Sequence, residues 1–282
     1  MSVEREFRAD RRDEPVKPAS TVMLVRGRTN LAAQLEVFMV QRTHSASFAR
    51  GMFVFPGGRV DDADSDPRLH ELCDGLDDVR ASELLRIDHG GLSFWVGALR
   101  ECFEESGILL ARHAGSGEFV RTDDSATARR FAEARHAVHE GTATLLDVCR
   151  AEALRLALDD VRYVSNWVTP RGESRRFDTR FFVAPAPPGQ EPLHDDLETI
   201  DSLWVTPAEA LDRASRGELA MFPPTASNLQ FLAGHTDVVS VLAAADALGS
   251  PTAILPKFKV DARGHVLAVV LPGEPGYEEL PD

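Results

Sequence analysis

The sequence predicts an α+β fold with one mixed sheet at its centre. Three observations carry this: β-branched and apolar runs recur near the start, the middle and the end of the chain, helical patterns lie between them without a regular βαβ repeat, and 282 residues suffice for a substantial core. A composition of 43% hydrophobic and 27% charged residues, with 20 Gly and 17 Pro, is that of an ordinary globular protein and excludes the disordered and collagen-like classes.

The elements follow in order. Residues 1–17 are polar and read as a flexible tail. ASTVMLVR (19–26) and LEVFMVQR (35–42) are strand-like runs separated by a Gly- and Asn-containing turn, hence a hairpin, and MFVFPGG (52–58) is a third short strand. Residues 65–92 hold seven acids against three Arg and read as an inserted surface element with one short helix. The segment 93–106 is helical, with Ser93 suited to cap it and Gly107 to close it. Residues 125–140 and 142–158 carry two further helical patterns joined at Gly141, a second insertion over 120–160. Strands return at 162–170, 175–184 and 201–207, followed by helices at 207–217 and within 225–248. A hairpin over AILPKFKV and HVLAVVLPG extends the chain at 251–282, packed on the single domain that 18–250 forms.

The charge balance narrows the function. Lys plus Arg number 31 against 45 Asp plus Glu, a net charge of −14, which argues against nucleic acid as partner. A phosphate-bearing substrate therefore needs positive charge from another source. Cys73, Cys102 and Cys149 have no close spacing, so neither a disulfide framework nor a zinc site is indicated, and a cytoplasmic location is expected. No apolar run approaches the roughly 20 residues of a bilayer span, and the polar start is unlike a signal peptide, so no membrane is expected.

Function shows in the helix at 93–106. Glu101, Glu104 and Glu105 fall at i, i+3 and i+4 and share one stripe, while Leu92, Trp95, Val96, Leu99 and Phe103 take the other side. Like charges at this spacing repel, a cost that a divalent cation removes. Ligands that are all oxygen point to a hard ion, Mg²⁺ or Mn²⁺, and such ions act on phosphates.

The string Arg100-Glu101-Cys102-Phe103-Glu104-Glu105-Ser106-Gly107-Ile108 resembles the second half of the Nudix box, R-E-U-x-E-E-x-G-U with U apolar. Phe55-Pro56-Gly57-Gly58 resembles the usual lead-in, and Gly58-x5-Asp64 the first half, with Asp in place of Glu. Thirty-five residues separate Asp64 from Arg100 where an uninterrupted box has seven, so 28 are inserted. Together with WVTP, RRFDTRFFVA and FPPT, this interrupted box resembles the Nudix subfamily typified by the mammalian peroxisomal coenzyme A diphosphatase.

The resemblance implies a Nudix fold, an α/β/α sandwich with a mixed sheet and helical insertions, and hydrolysis of a diphosphate linkage with Mg²⁺ or Mn²⁺. By that pattern Glu101, Glu104 and Glu105 hold metal, Arg100 orients Glu101, and Gly57 and Gly58 let the backbone approach the substrate. Glu101 is the first candidate for general base and Glu198 the second, with Asp61 and Asp64 as neighbouring acids. Arg42, Arg50, Arg176 and Arg180 are candidate phosphate contacts because Arg binds phosphate through paired hydrogen bonds; Phe48 and Trp167 are candidates to stack on an adenine. His44, His70 and His89 lack metal-ligand spacing. The substrate is expected to be coenzyme A or acyl-coenzyme A, with NADH, ADP-ribose or another nucleoside diphosphate derivative as alternative. A different class, a non-catalytic ligand-binding regulator of the same fold, is disfavoured by the intact acidic set. The peroxisomal location does not carry over, because Glu-Leu-Pro-Asp is not an SKL-type signal. The two insertions are candidates for capping the cleft or forming a homodimer contact.

Overall fold

The strand Val16–Gly27 (β1) is buried on both sides: Val22 and Leu24 pack into one core, Met23 and Val25 into a second. Its partner Leu35–Arg42 (β2) divides in the same way, Phe38 and Val40 against Val37 and Met39. A sheet covered on both faces needs continuous apolar runs rather than alternation, which is what both sequences contain. The structure, a computed structural model, describes residues 14–27, 34–43, 51–192 and 199–281.

Two short strands, Phe53–Val54 (β3) and Gly57–Arg59 (β4), pair with β2 and β1. A 3-10 turn at Asp62–Ser65 leads to α1 (Pro67–His70), β5 (Cys73–Asp74) and α2 (Asp78–Leu85). After α3 (Leu92–Ser106) come β6 (Ala111–His113), α4 (Ser125–His139), α5 (Leu145–Ala151) and β7 (Leu154–Ala157). Next are β8 (Arg162–Val168), β9 (Arg176–Pro185), β10 (Thr199–Val205), α6 (Pro207–Ser215), α7 (Pro223–Ala233) and α8 (Val238–Leu248). Then follow β11 (Ala253–Ile254), β12 (Lys257–Val260) and β13 (Val266–Val270).

The main sheet runs β10-β2-β1-β9-β8-β11 and is mixed, because β1 pairs parallel to β9 but antiparallel to β2. Residues of α3 fill the core on one face, and residues of α6, α7 and α8 fill the other. This is the expected α+β sandwich. Among the described residues no single helix is long and apolar enough to cross a membrane.

Several boundaries differ from the sequence reading. The strand β1 starts at Val16, inside the expected tail, because Val16 and Lys17 pair with Arg176 and Phe177 of β9. The helix expected over 142–158 ends at Ala151, and Leu154–Ala157 instead forms β7 in a three-stranded sheet with β5 and β6.

The segment 65–92 lies on the surface, as expected, but its inner face belongs to the core. Leu69, Ala81, Leu85 and Leu92 are buried and share a core with Trp95 and Phe103 of α3. Its acids serve backbone amides: Asp78 accepts from the N–H groups of Gly90 and Leu92 at 3.0 Å each, and the Ser82 hydroxyl accepts from Gly91 at 2.9 Å. These groups cap the start of α3, whereas Ser93, the expected cap, lies inside the helix with its hydroxyl 2.9 Å from that of Ser65. The two insertions also meet, since β5 pairs parallel to β7 and Arg155 contacts Asp74 at 2.6 Å.

This packing makes a prediction. Leu85→Ala removes a side chain only 3% exposed and should cost about 2–5 kcal/mol. Replacing Pro67–His89 by a short Gly/Ser linker should abolish cooperative unfolding in urea. Near wild-type midpoints for either variant would return the segment to the periphery.

Candidate active site

Arg100 is the hub around which the site is built. It lies on α3, is 7% exposed, and its guanidinium grips Asp64 through two bonds, Nε to Oδ1 at 2.8 Å and Nη2 to Oδ2 at 3.0 Å. Its Nη2 also donates to the carbonyl of Arg59 at 2.7 Å. The remaining nitrogen, Nη1, reaches Glu101 Oε1 at 3.0 Å and Glu104 Oε1 at 2.7 Å. Burial works against a charge on Arg100, but Asp64, Glu101 and Glu104 outweigh it and push its pKa upward, so it stays a cation.

Asp64, the Asp standing at the Glu position of the first half-box, is thus a partner of Arg100. It is 1% exposed and also accepts from the Asp61 N–H at 2.8 Å, which closes the 3-10 turn. The insertion of 28 residues separates these two groups in sequence without separating them in space. Gly97 on α3 makes room for this contact, since a Cβ there would stand 3.0 Å from Asp64 Oδ2.

Glu101 and Glu104 line a cavity of about 670 Å³, together with Gly57, Gly58, Arg59, Arg42 and Asp61. Burial pushes the Glu101 carboxyl up to about 7, with Glu104 adding to the shift and Arg100 opposing it. A group so placed is costly to ionise unless a cation is added. Gly58 is held against it: a Cβ on Gly58 would fall 2.5 Å from the Glu101 carboxylate. A Cβ on Gly57 would meet Ser20 O of β1 at 2.5 Å. Both glycines are therefore needed for β4 to lie close to its neighbours, Gly58 to Glu101 and Gly57 to β1.

Glu105 takes a different place from the expected stripe. It is 3% exposed, does not line the cavity, and accepts from the Gly57 N–H at 2.9 Å and from Arg42 Nη1 at 3.3 Å. The reason is that α3 is enclosed nearly all round, with Arg100, Cys102, Glu105 and Ser106 all buried. Among the described residues no three His, Cys, Asp or Glu side chains are gathered in a ready-made metal cluster. Arg100 holds the Oε1 atoms of Glu101 and Glu104 and leaves their Oε2 atoms to other partners.

The other candidates sort by position. Arg42 lines the cavity beside the acids. Arg180 does not: it is 5% exposed and donates to Leu85 O, the Tyr163 hydroxyl and Asp178, so it ties the inserted segment to the sheet and is not a substrate contact. Arg176 is likewise spent on the carbonyls of Thr169 and Glu14. Trp167 lines the cavity but is 3% exposed and packs in the second core. Arg50, Phe48, His44 and Glu198 lie outside the described residues. Two residues escaped the sequence reading. Arg135 of α4 donates to the Glu104 carbonyl at 2.8 Å, and His139 lines the cavity with Nδ1 3.7 Å from Glu104 Oε2. Nothing in their local sequence marks them, because only the docking of α4 on α3 brings them there.

A carboxylate-bearing helix whose Arg is locked to the acid of a Gly-x5-Asp turn, in an α/β/α sandwich, is the arrangement of the Nudix class, and the matches to named relatives make that class a diphosphatase. The sequence model of the NUDT19 Nudix domain matches residues 77–232, more than half of the chain, and the chain belongs to that family. It is 28% identical to the acyl-coenzyme A diphosphatase NUDT19 of Gallus gallus, over 88% of this chain and 74% of that protein. To the Xenopus laevis protein of the same name it is 27% identical, over 69% of this chain and 59% of the relative. Among solved structures it is similar to a NUDIX hydrolase from Alicyclobacillus acidocaldarius, with a TM-score of 0.65 and 25% identity over 81% of this chain and 96% of that one.

Two outcomes test the site. Gly58→Ala forces a Cβ onto the Glu101 carboxylate, so hydrolytic turnover should fall at least tenfold while the urea midpoint shifts little; unchanged turnover would show that the close approach is dispensable. The second concerns pH. With its folded pKa raised to about 7, Glu101 binds a proton in the folded state that the unfolded chain has already lost. Stability without metal should therefore decline as pH rises from the ordinary carboxylate range towards about 7. Glu101→Gln should flatten that decline in thermal melts recorded between these limits.

Proposed function

We propose that this protein is a Mg²⁺- or Mn²⁺-dependent diphosphatase that cleaves coenzyme A or acyl-coenzyme A. The observation that carries the reading is the pair Glu101 and Glu104, held on Arg100 at one wall of the cavity with Gly58 pressed against Glu101. The name acyl-coenzyme A diphosphatase, borne by relatives that align over most of the chain, supports the substrate.

The residues present fit a hard divalent cation. All donors are carboxylate oxygens, and the buried Glu101 carboxyl, crowded by Glu104, gains from added positive charge. Glu101 and Glu104 would hold the metal from the cavity, with Glu105 beside them, beneath the Gly57 amide. When bound, the cation supplies charge to neutralise phosphate oxygens and to acidify water.

The chain itself does the rest. Arg100 fixes the orientation of Glu101 and Glu104, and Asp64 fixes Arg100. Arg42, which lines the cavity while its guanidinium Nη1 donates to Glu105, is the proposed phosphate contact, since Arg binds phosphate through paired hydrogen bonds. Glu101 is the proposed general base: it takes a proton from water as the water oxygen bonds to one phosphorus. The bridging P–O bond breaks, and its electron pair leaves with the departing phosphate, which is protonated from solvent. With coenzyme A this yields a phosphopantetheine and adenosine 3′,5′-bisphosphate. We assign the activity to the cytoplasm, a reading supported by three free cysteines.

The test is kcat/KM for coenzyme A, dephospho-coenzyme A, NADH and ADP-ribose with Mg²⁺ and with Mn²⁺. Coenzyme A should be cut at the diphosphate, and only when metal is present. A tenfold preference for NADH or ADP-ribose, about 1.4 kcal/mol in the transition state, would overturn the coenzyme A assignment. No turnover of any substrate would favour a ligand-binding regulator.

A further inference from the structure

The cavity that begins at Glu101 and Glu104 does not end there. Away from them its lining includes Phe177 of β9, Phe222 and Pro224 at the start of α7, and Pro256, Phe258 and Val269 of the C-terminal strands and their approach, beside the polar Thr169, Glu173, Arg175 and Thr179. The family match ends at residue 232, so the last three come from chain beyond it.

This hairpin is built onto the site rather than hanging from it. Ile254 of β11 pairs with Trp167 of β8, which also lines the cavity. Phe258 of β12 is 8% exposed, and Val269 is its register partner on β13. The Lys257 ammonium donates to Leu280 O at 3.0 Å and the Tyr277 hydroxyl to Leu255 O at 2.7 Å, which holds the chain after the hairpin against β12 and the residues leading into it.

We infer that the C-terminal hairpin is a specificity element, whose Phe258 and Val269 close the cavity into an apolar chamber for the acyl-bearing arm of the substrate. The inference rests on the coenzyme A reading and deepens it. The hairpin's own share of the lining favours an acyl arm: Pro256, Phe258 and Val269 are all apolar, offer no side-chain hydrogen bond to a base edge, and give an alkyl chain cover from water. A volume of about 670 Å³ leaves room for such an arm beyond the diphosphate. A molecule whose diphosphate lies at the carboxylates projects one substituent along this lining, and an alkyl chain there is removed from water.

The experiment measures kcat/KM of the full chain for coenzyme A and its acetyl, hexanoyl and dodecanoyl thioesters, in wild type, Phe258→Ala and Val269→Trp. In wild type the value should rise by about fourfold per methylene until the chamber is full, putting hexanoyl-coenzyme A at least tenfold above coenzyme A. Phe258→Ala should reduce that ratio at least fivefold. Val269→Trp, which adds bulk, should depress the dodecanoyl thioester relative to the hexanoyl one; it decides the matter should thermal melts show Phe258→Ala unfolded. Equal cleavage of all four forms in wild type, or ratios unchanged in the folded variants, would overturn the hairpin's role and leave the coenzyme A reading standing. Failure to cut any of the four while ADP-ribose is cut would overturn both.

Discussion

The buried ion pair between Arg100 and Asp64 is the contact on which the candidate site depends. Placing a guanidinium inside a protein is costly, and removing one partner of such a pair costs about 3–5 kcal/mol. Here the cost is met by geometry: two parallel bonds to Asp64, one to the Arg59 carbonyl, and a shared contact with Glu101 and Glu104. One cation thereby positions the turn before the insertion, the strand β4 and the acidic face of α3. Lys has a single nitrogen head and could not span these groups. Three carboxylates around one guanidinium still leave net negative charge, and that excess is what makes a divalent cation the natural complement of the site.

The 28-residue interruption of the box has a structural role. An ordinary box brings its two halves together through a short loop. In this chain the loop became α1, β5 and α2, which supply their own apolar contacts, cap the first turn of α3 through Asp78 and Ser82, and receive Arg180 on the Leu85 carbonyl. The second insertion meets the first through β5 and β7 and returns Arg135 and His139 to the C-terminal end of the same helix. Both ends of α3 are thus held by inserted segments, so carboxylate placement and stability are linked.

Close approach is the second theme of the site. Gly57 and Gly58 let β4 lie against β1 on one side and Glu101 on the other, and Gly97 lets α3 accept Asp64. A Gly within a helix costs about 1 kcal/mol relative to Ala. At Gly97 that cost admits the buried pair, a larger effect.

By itself the sequence determined the fold class, most of the strands and the residue types of the site. Apolar runs specify the strands, and the spacing of Glu101, Glu104 and Glu105 specifies their helical stripe. These are local properties, readable because helix and strand periods are short. Only the tertiary structure decided what each side chain does. Glu105 turned from the cavity to the Gly57 amide, Arg180 from a phosphate contact to a strut, and residues 65–92 sent one face of a surface segment into the core. The reason is physical: burial and partner choice depend on which elements cover a helix or strand, and the groups that cover α3 come from segments up to several tens of residues away whose packing no local pattern encodes.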